Sequence, residues 1–299
     1  MRLVRTPRLD FIVIGAQKAG TTSLWRYLED NEALRMPPDK EASFFSEPAY
    51  PGDLRAYMRA LFKDAPHGTK LGTVTPVYMH GTPTASVPAI ADRIHEAVPG
   101  VKLVALLRDP VERARSAHRM LARRGVEQRS FTQAIDELLQ PGELERARRE
   151  PEETRSYVVA GEYGRMLAAY SERFGRERLH VELASELDRA PAGVVRRVCE
   201  FIGVEPHEPR LLGERFYPSG RPRVSGEAER DLKDYLERNV WARMRHGEQH
   251  RESFKHWFEL WNVVPDPASE EIDPRTAERL RAHYEDDQVL LAETIGLRV

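Results

Sequence analysis

An apolar run that breaks into a glycine-bounded loop and then a hydroxyl-rich helix start constrains this chain more than any other feature. The stretch is Asp10-Phe11-Ile12-Val13-Ile14-Gly15-Ala16-Gln17-Lys18-Ala19-Gly20-Thr21-Thr22-Ser23-Leu24-Trp25. Phe11 to Ile14, apolar and partly β-branched, predicts a buried strand. Gly15 and Gly20 bound a loop. Thr21, Thr22 or Ser23 is expected to cap a helix whose apolar face starts at Leu24, Trp25 and Leu28. A strand, a tight loop and a helix N-terminus in series gather free backbone N–H groups around one point, which suits an anion. The spacing departs from the Walker pattern G-x-x-x-x-G-K-[ST], whose lysine follows the second glycine. Here Thr21 stands in that place and the lysine lies inside the loop, at Lys18. A cation there faces the terminal anionic group and its bridging oxygen. The alternative is a glycine turn carrying a surface lysine.

Gly15-Ala16-Gln17-Lys18-Ala19-Gly20-Thr21-Thr22-Ser23-Leu24 resembles the 5′-phosphosulfate loop of sulfotransferases that use 3′-phosphoadenosine 5′-phosphosulfate (PAPS), of the heparan-sulfate and bacterial types. The resemblance implies an α/β fold: a P-loop-like three-layer domain with a central, mostly parallel sheet flanked by helices. It also implies that Gln17, Lys18, Ala19, Gly20, Thr21 and Thr22 bind the cofactor, with Lys18 on the bridging oxygen as charge builds there.

The 299 residues suffice for one large α/β domain or two small ones. With 40% hydrophobic and 31% charged residues the composition is that of a soluble globular protein. A formal net charge of −2 gives no pull toward nucleic acid or anionic membranes. No apolar segment approaches the roughly 20 residues that span a bilayer, and residues 1–8 lack the apolar centre of a signal peptide. The single cysteine, Cys199, lies among Val194, Val195, Val198 and Phe201 and reads as core packing in a reducing compartment. The expectation is a cytoplasmic protein that neither inserts in a membrane nor binds nucleic acid.

Taken in order, Ala33 to Met36 predicts a short strand stopped by Pro37-Pro38. Asp39-Lys40-Glu41-Ala42-Ser43-Phe44-Phe45 is open to two readings: a helix start anchored by its aromatic pair, or a catalytic element. It is similar to the family's Lys-Glu-x-x-Phe-Phe stretch, which implies Glu41 as general base and Lys40 as its electrostatic partner. Residues 52–66 predict a helix. Lys70 to Tyr78 reads as a short strand entering a proline turn and resembles the family's acceptor-side Gly-Glu-x-[Ser/Thr]-Pro-x-Tyr element. Thr73 and Val74 depart from it, standing where glutamate and lysine are frequent.

Residues 87–98 predict a helix, and Val101 to Leu107 a second buried strand. This strand runs into Arg108-Asp109-Pro110-Val111-Glu112-Arg113-Ala114-Arg115-Ser116-Ala117-His118. Pro110 suits the first turn of a helix, where its missing N–H has no partner to lose. Arg108 falls at the C-terminal end of a strand, where open α/β sheets place ligands; the bland reading is a turn with solvated arginines. The pattern resembles the family's 3′-phosphate site, which implies Arg108 and Ser116 as its ligands. His118 is a candidate second proton-handling group or a helical surface histidine.

Residues 119–124 and 143–153 are charge-rich and read as solvated helix faces or an acceptor-side loop. A helix with Met166, Leu167, Tyr170 and Phe174 inward, a strand over 178–183 and a helix over 191–202 follow. From about 205 to 271 the chain becomes a variable segment with a basic loop and Trp241, Trp257, Phe258 and Trp261. The family's nucleotide-covering loop lies in this region, which makes Arg221 and Arg223 cofactor-binding candidates. A last helix is expected from 273 to 296. The expected organisation is one domain over 1–299, with a nucleotide-binding core at about 8–204.

The resemblance implies in-line transfer of a sulfuryl group from PAPS, with release of adenosine 3′,5′-bisphosphate (PAP) and no metal, to a hydroxyl or amine of a sugar or small natural product. Sulfuryl carries less charge than a terminal phosphoryl group, so a lysine and backbone donors can stand in for magnesium. A P-loop kinase is the first alternative, against which the absent G-K-[ST] lysine speaks. A non-catalytic nucleotide-binding protein is the second. The acceptor and the oligomeric state are not legible here.

Overall fold

The computed structural model describes residues 8–37, 40–48, 50, 53–63, 65–210, 212, 221–224, 227–239, 262–264 and 271–299. Five strands, β1 (Leu9–Gly15), β2 (Leu34–Arg35), β3 (Lys70–Val74), β4 (Lys102–Leu107) and β5 (Leu179–Leu183), form one sheet. Its order is β2-β3-β1-β4-β5 and every pairing is parallel. The central strands β1 and β4 read as unbroken apolar runs because helices cover both their faces. Phe11 to Ile14 and Leu103 to Leu107 are fully buried.

The helices are α1 (Thr21–Glu29), α2 (Leu54–Leu61), α3 (Val77–His80), α4 (Val87–Ala97), α5 (Pro110–Arg123), α6 (Phe131–Leu138), α7 (Pro141–Arg149), α8 (Tyr163–Phe174), α9 (Ala184–Arg189), α10 (Pro191–Ile202), α11 (Glu227–Asn239) and α12 (Pro274–Ile295). Helix α1 packs with α10, whereas α4 and α12 both pack against α8. A second apolar cluster joins α5, α6 and α12 through Val111, Leu121, Ile135, Leu138, Leu280 and Tyr284. Cys199 is buried in α10, as its apolar neighbours predict.

Strand order decides where a ligand can sit. After β1 the chain crosses to β2 and β3 on one side, then to β4 and β5 on the other. The reversal opens a crevice at the carboxyl ends of β1 and β4. Gly15 pairs with Ala105 across that seam. The loop after β1 and the arginine after β4 therefore leave the sheet side by side.

The sheet is parallel throughout, as the expected mostly parallel sheet allows; the antiparallel pair β6 (Arg221–Pro222) and β7 (Val263–Val264) stands apart from it. One sequence expectation changes. Helix α1 is capped by Gly20, with no side-chain cap hydrogen bond. Gly20 has φ 90°, a left-handed conformation that threonine and serine avoid, so the hydroxyl residues begin the helix proper. Trp241, Trp257, Phe258 and Trp261 lie outside the described residues.

Candidate active site

The loop joining β1 to α1 is tied down at its start by the Ala16 N–H, which donates to the Leu106 carbonyl at 2.7 Å, and turns back where the Ala19 N–H donates to Ala16 at 3.3 Å. Between them Lys18 adopts φ 69°, a conformation that raises its backbone out of the extended path. The first intrahelical bond of α1 runs from the Leu24 N–H to the Gly20 carbonyl at 3.1 Å. The N–H groups of Thr21, Thr22 and Ser23 thus belong to the unpartnered first turn of a helix. They point, with the positive end of the helix dipole, at the loop. Gln17 and Thr22 are half-buried and Thr21 is buried.

The Lys18 amine is pulled from 10.5 down to about 8. Burial is the main cause, followed by the positive charges of Arg123, Arg108, Arg124 and Lys40. Four other cations thus crowd one half-buried lysine, at the mouth of a helix N-terminus. Such a concentration of positive charge suits an anion. Arg108 leaves β4 beside the loop, its Nη1 donating to the Lys18 carbonyl at 3.4 Å and its Nη2 lying 3.5 Å from Glu112 Oε2. Asp109 caps α5 by accepting the Glu112 N–H at 2.8 Å, and Pro110 takes the first turn as the sequence predicts. Ser116 follows on the half-buried face of α5.

The Lys40–Glu41 pair stands across the β1–β3 side of the crevice. Lys40 Nζ is 3.2 Å from Glu41 Oε1, with the lysine side chain 15% exposed and the glutamate 55%. Burial pushes the Lys40 amine down, while Glu41 holds it up. The next residue is clamped: the Ala42 N–H donates to Thr75 Oγ1 at 3.2 Å, and the Tyr78 hydroxyl donates to the Ala42 carbonyl. Thr75 itself is bound to the end of β1, its N–H donating to Val13 at 2.9 Å. The Thr75-Pro76-Val77-Tyr78 element therefore holds the Glu41 segment against the sheet, a role that sequence reasoning missed. The signal was two hydroxyl side chains flanking a proline turn. Phe44 and Phe45 anchor the segment below, packing on Tyr57 and Tyr78. Thr73 and Val74, the departures from the family pattern, are both buried in β3.

The structure brings Lys18, Lys40 and Arg108 together, with Glu41 attached through Lys40. His118 is not a surface histidine. It is 7% exposed, its ring lies edge-on to Phe131 and Tyr157, and its Nε2 is 2.9 Å from the Arg129 carbonyl oxygen. Arg221 lies in β6; the Arg223 N–H donates to the Asn262 carbonyl at 2.8 Å and its side chain is exposed. The loop before them, 213–220, is outside the described residues. Among the described residues no group of three His, Cys, Asp or Glu side chains could hold a metal ion, and no helix is long and apolar enough to cross a membrane.

No protein-family model matches the chain. It is similar over 98% of its length, and over 97% of the other chain, to the crystal structure of a sulfotransferase from Alicyclobacillus acidocaldarius, at 28% identity and a TM-score of 0.67. It is 32% identical over 111 residues (36% of this chain, 22% of the relative) to the membrane-associated sulfotransferase kil1 of Dictyostelium discoideum. Over 211 residues (66% of this chain, 20% of the relative) it is 25% identical to the bifunctional heparan sulfate N-deacetylase/N-sulfotransferase of Drosophila melanogaster. The chain spans about a fifth of the length of these two curated relatives. A loop around Lys18 that suits an anion, an arginine at the adjoining strand end and a likeness that runs the whole length of a solved sulfotransferase together place the chain among proteins of sulfotransferase fold.

Proposed function

We propose that the protein transfers a sulfuryl group from PAPS to a hydroxyl or amine of a sugar or small natural-product acceptor. The observation that carries this reading is the meeting of Lys18, Arg108 and the N-terminus of α1 at the ends of two adjacent strands. A half-buried lysine whose amine is depressed by burial and by its arginine neighbours fits a polyanionic nucleotide. In this reading the N–H groups of Gly20 to Thr22, with Gln17, Ala19 and the threonine hydroxyls, hold the 5′-phosphate. Arg108 and Ser116 take the 3′-phosphate, and Arg221 and Arg223 close over the nucleotide.

PAPS supplies the sulfuryl group and PAP is the product. Glu41, steadied by Lys40, accepts the proton of the acceptor as the new bond to sulfur forms. Lys18 neutralises the charge that appears on the phosphate oxygen as the old S–O bond breaks. His118, with Nε2 committed to the Arg129 carbonyl, takes no part in this scheme. The organisation as one domain over 1–299, with its nucleotide-binding core at about 8–204, belongs to the same proposal.

The test is thermal stabilisation by PAP against ADP, and against ATP with magnesium. A ligand at 100 times its dissociation constant adds about 2.7 kcal/mol, a shift of roughly 2–7 °C in a chain of this size. The expected outcome is a shift with PAP that needs no magnesium. A shift seen only with magnesium-ATP overturns the reading in favour of a kinase.

A further inference from the structure

Arg108 is held loosely by its side chain and firmly by its backbone. The guanidinium contacts, at 3.4 and 3.5 Å, are long. The Arg108 carbonyl, by contrast, accepts the Tyr163 hydroxyl at 2.9 Å. Tyr163 is fully buried and is the first residue of α8, so its position is that of the helix N-terminus.

That terminus is fixed by another helix. The residue before it, Glu162, makes no side-chain cap. Instead Asp287 of α12 accepts the Gly164 N–H through Oδ2 and the Arg165 N–H through Oδ1, both at 2.8 Å. The approach requires Gly164: a Cβ there would stand 2.3 Å from the Asp287 carbonyl oxygen and 2.7 Å from the Leu291 nitrogen. Glu162 is gripped in turn by Arg148 at 2.9 Å, Arg165 at 2.6 Å and His283 at 3.1 Å. Tyr163 thus has a clamped carboxylate before it and a capped helix turn after it.

We propose that Tyr163 is a positioning residue for the donor nucleotide's 3′-phosphate: it fixes the backbone of Arg108 where β4 ends, and so aims the guanidinium. This rests on the assignment of Arg108 to that phosphate. Without the hydroxyl, the Arg108 carbonyl loses its donor and the arginine loses a short restraint. Affinity falls only for nucleotides whose 3′-phosphate it meets.

The experiment compares dissociation constants of PAP and adenosine 5′-monophosphate, by calorimetry, for the wild type, Tyr163→Phe and Arg108→Ala. Tyr163→Phe is expected to weaken PAP about tenfold and leave the monophosphate unchanged, lowering the preference for PAP by the same factor. A structural role alone would weaken both nucleotides together. An unchanged preference in Tyr163→Phe, alongside its loss in Arg108→Ala, overturns the proposal and spares the Arg108 assignment. A preference retained by Arg108→Ala, or absent in the wild type, overturns that assignment and the proposal with it. Should Tyr163→Phe fail to fold, Asp287→Asn loosens the same turn from the other side. A fall in its preference for PAP supports the proposal, and a wild-type ratio overturns it.

Discussion

Lys18 answers to two opposed demands. In the proposed reaction it must be charged to meet a growing anion, yet burial and its cationic neighbours make the charged form costly, which is why its amine is pulled down to about 8. A bound polyanion reverses the balance and draws a proton onto the lysine. Calorimetry in buffers of different ionisation enthalpy should therefore record proton uptake on PAP binding at about pH 8. Affinity should weaken as pH rises further, and Lys18→Ala should abolish the uptake. Loss of one preorganised donor typically costs about 10²–10³ in turnover, so Lys18→Ala should lose that much in a sulfuryl-transfer assay while keeping its melting temperature. In the proposed scheme Glu41 belongs to a different step. Glu41→Gln should cripple turnover and leave the PAP dissociation constant close to wild type, because the side chain is half-exposed and pairs with Lys40. Near-normal turnover would remove it from the mechanism.

Elements, rather than single residues, keep these groups in place. The proline turn at Thr75 to Tyr78 holds Ala42, and the α8–α12 junction holds Arg108 through Tyr163. The junction carries a pH signature. Burial pushes the Glu162 carboxyl up, but the hydrogen bonds from His283 and Arg148 and the charge of Arg165 outweigh it and hold the group at about 2, against 4.5. A depressed carboxylate contributes stability above pH 4.5 that is lost as pH falls toward 2, here on the order of 3 kcal/mol. Glu162→Gln should therefore lower the urea midpoint at pH 7 and narrow its difference from wild type between pH 4.5 and 2. Asp287, which burial pushes up, acts with the opposite sign. The comparison between variant and wild type is thus the informative quantity, not either profile alone.

Across the whole molecule, legibility follows range in sequence. The glycine loop after β1 and the Arg108 turn are local: a strand, a turn and a helix start lie close together in sequence, and each leaves its mark on residue type. The buried strands β1 and β4 are legible because coverage on both faces demands an unbroken apolar run. The choice of cap at α1 was misread because the hydroxyl residues that favour caps are adjacent to a glycine that alone tolerates the required φ. The burial of His118, open in the sequence between a proton-handling group and a surface histidine, is not legible because one polar residue on an amphipathic helix carries no sign of the aromatic rings that enclose it. The clamps were beyond reach for a simpler reason. Thr75 and Ala42 are 33 positions apart, and Asp287 and Gly164 are 123 apart, so no local pattern joins them.

That last separation bears on how the protein is made. During synthesis the earlier parts of a chain fold first, and β1, β4 and their loop can emerge and pair well before residue 287 exists. The nucleotide crevice would then be outlined early, while the start of α8, and with it the backbone of Arg108, waits for the C-terminal helix to dock. A nascent chain short of α12 has the loop after β1 but lacks the buttress behind the neighbouring arginine. In that order of events the Arg108 carbonyl gains its Tyr163 buttress only when the last long helix closes onto Gly164.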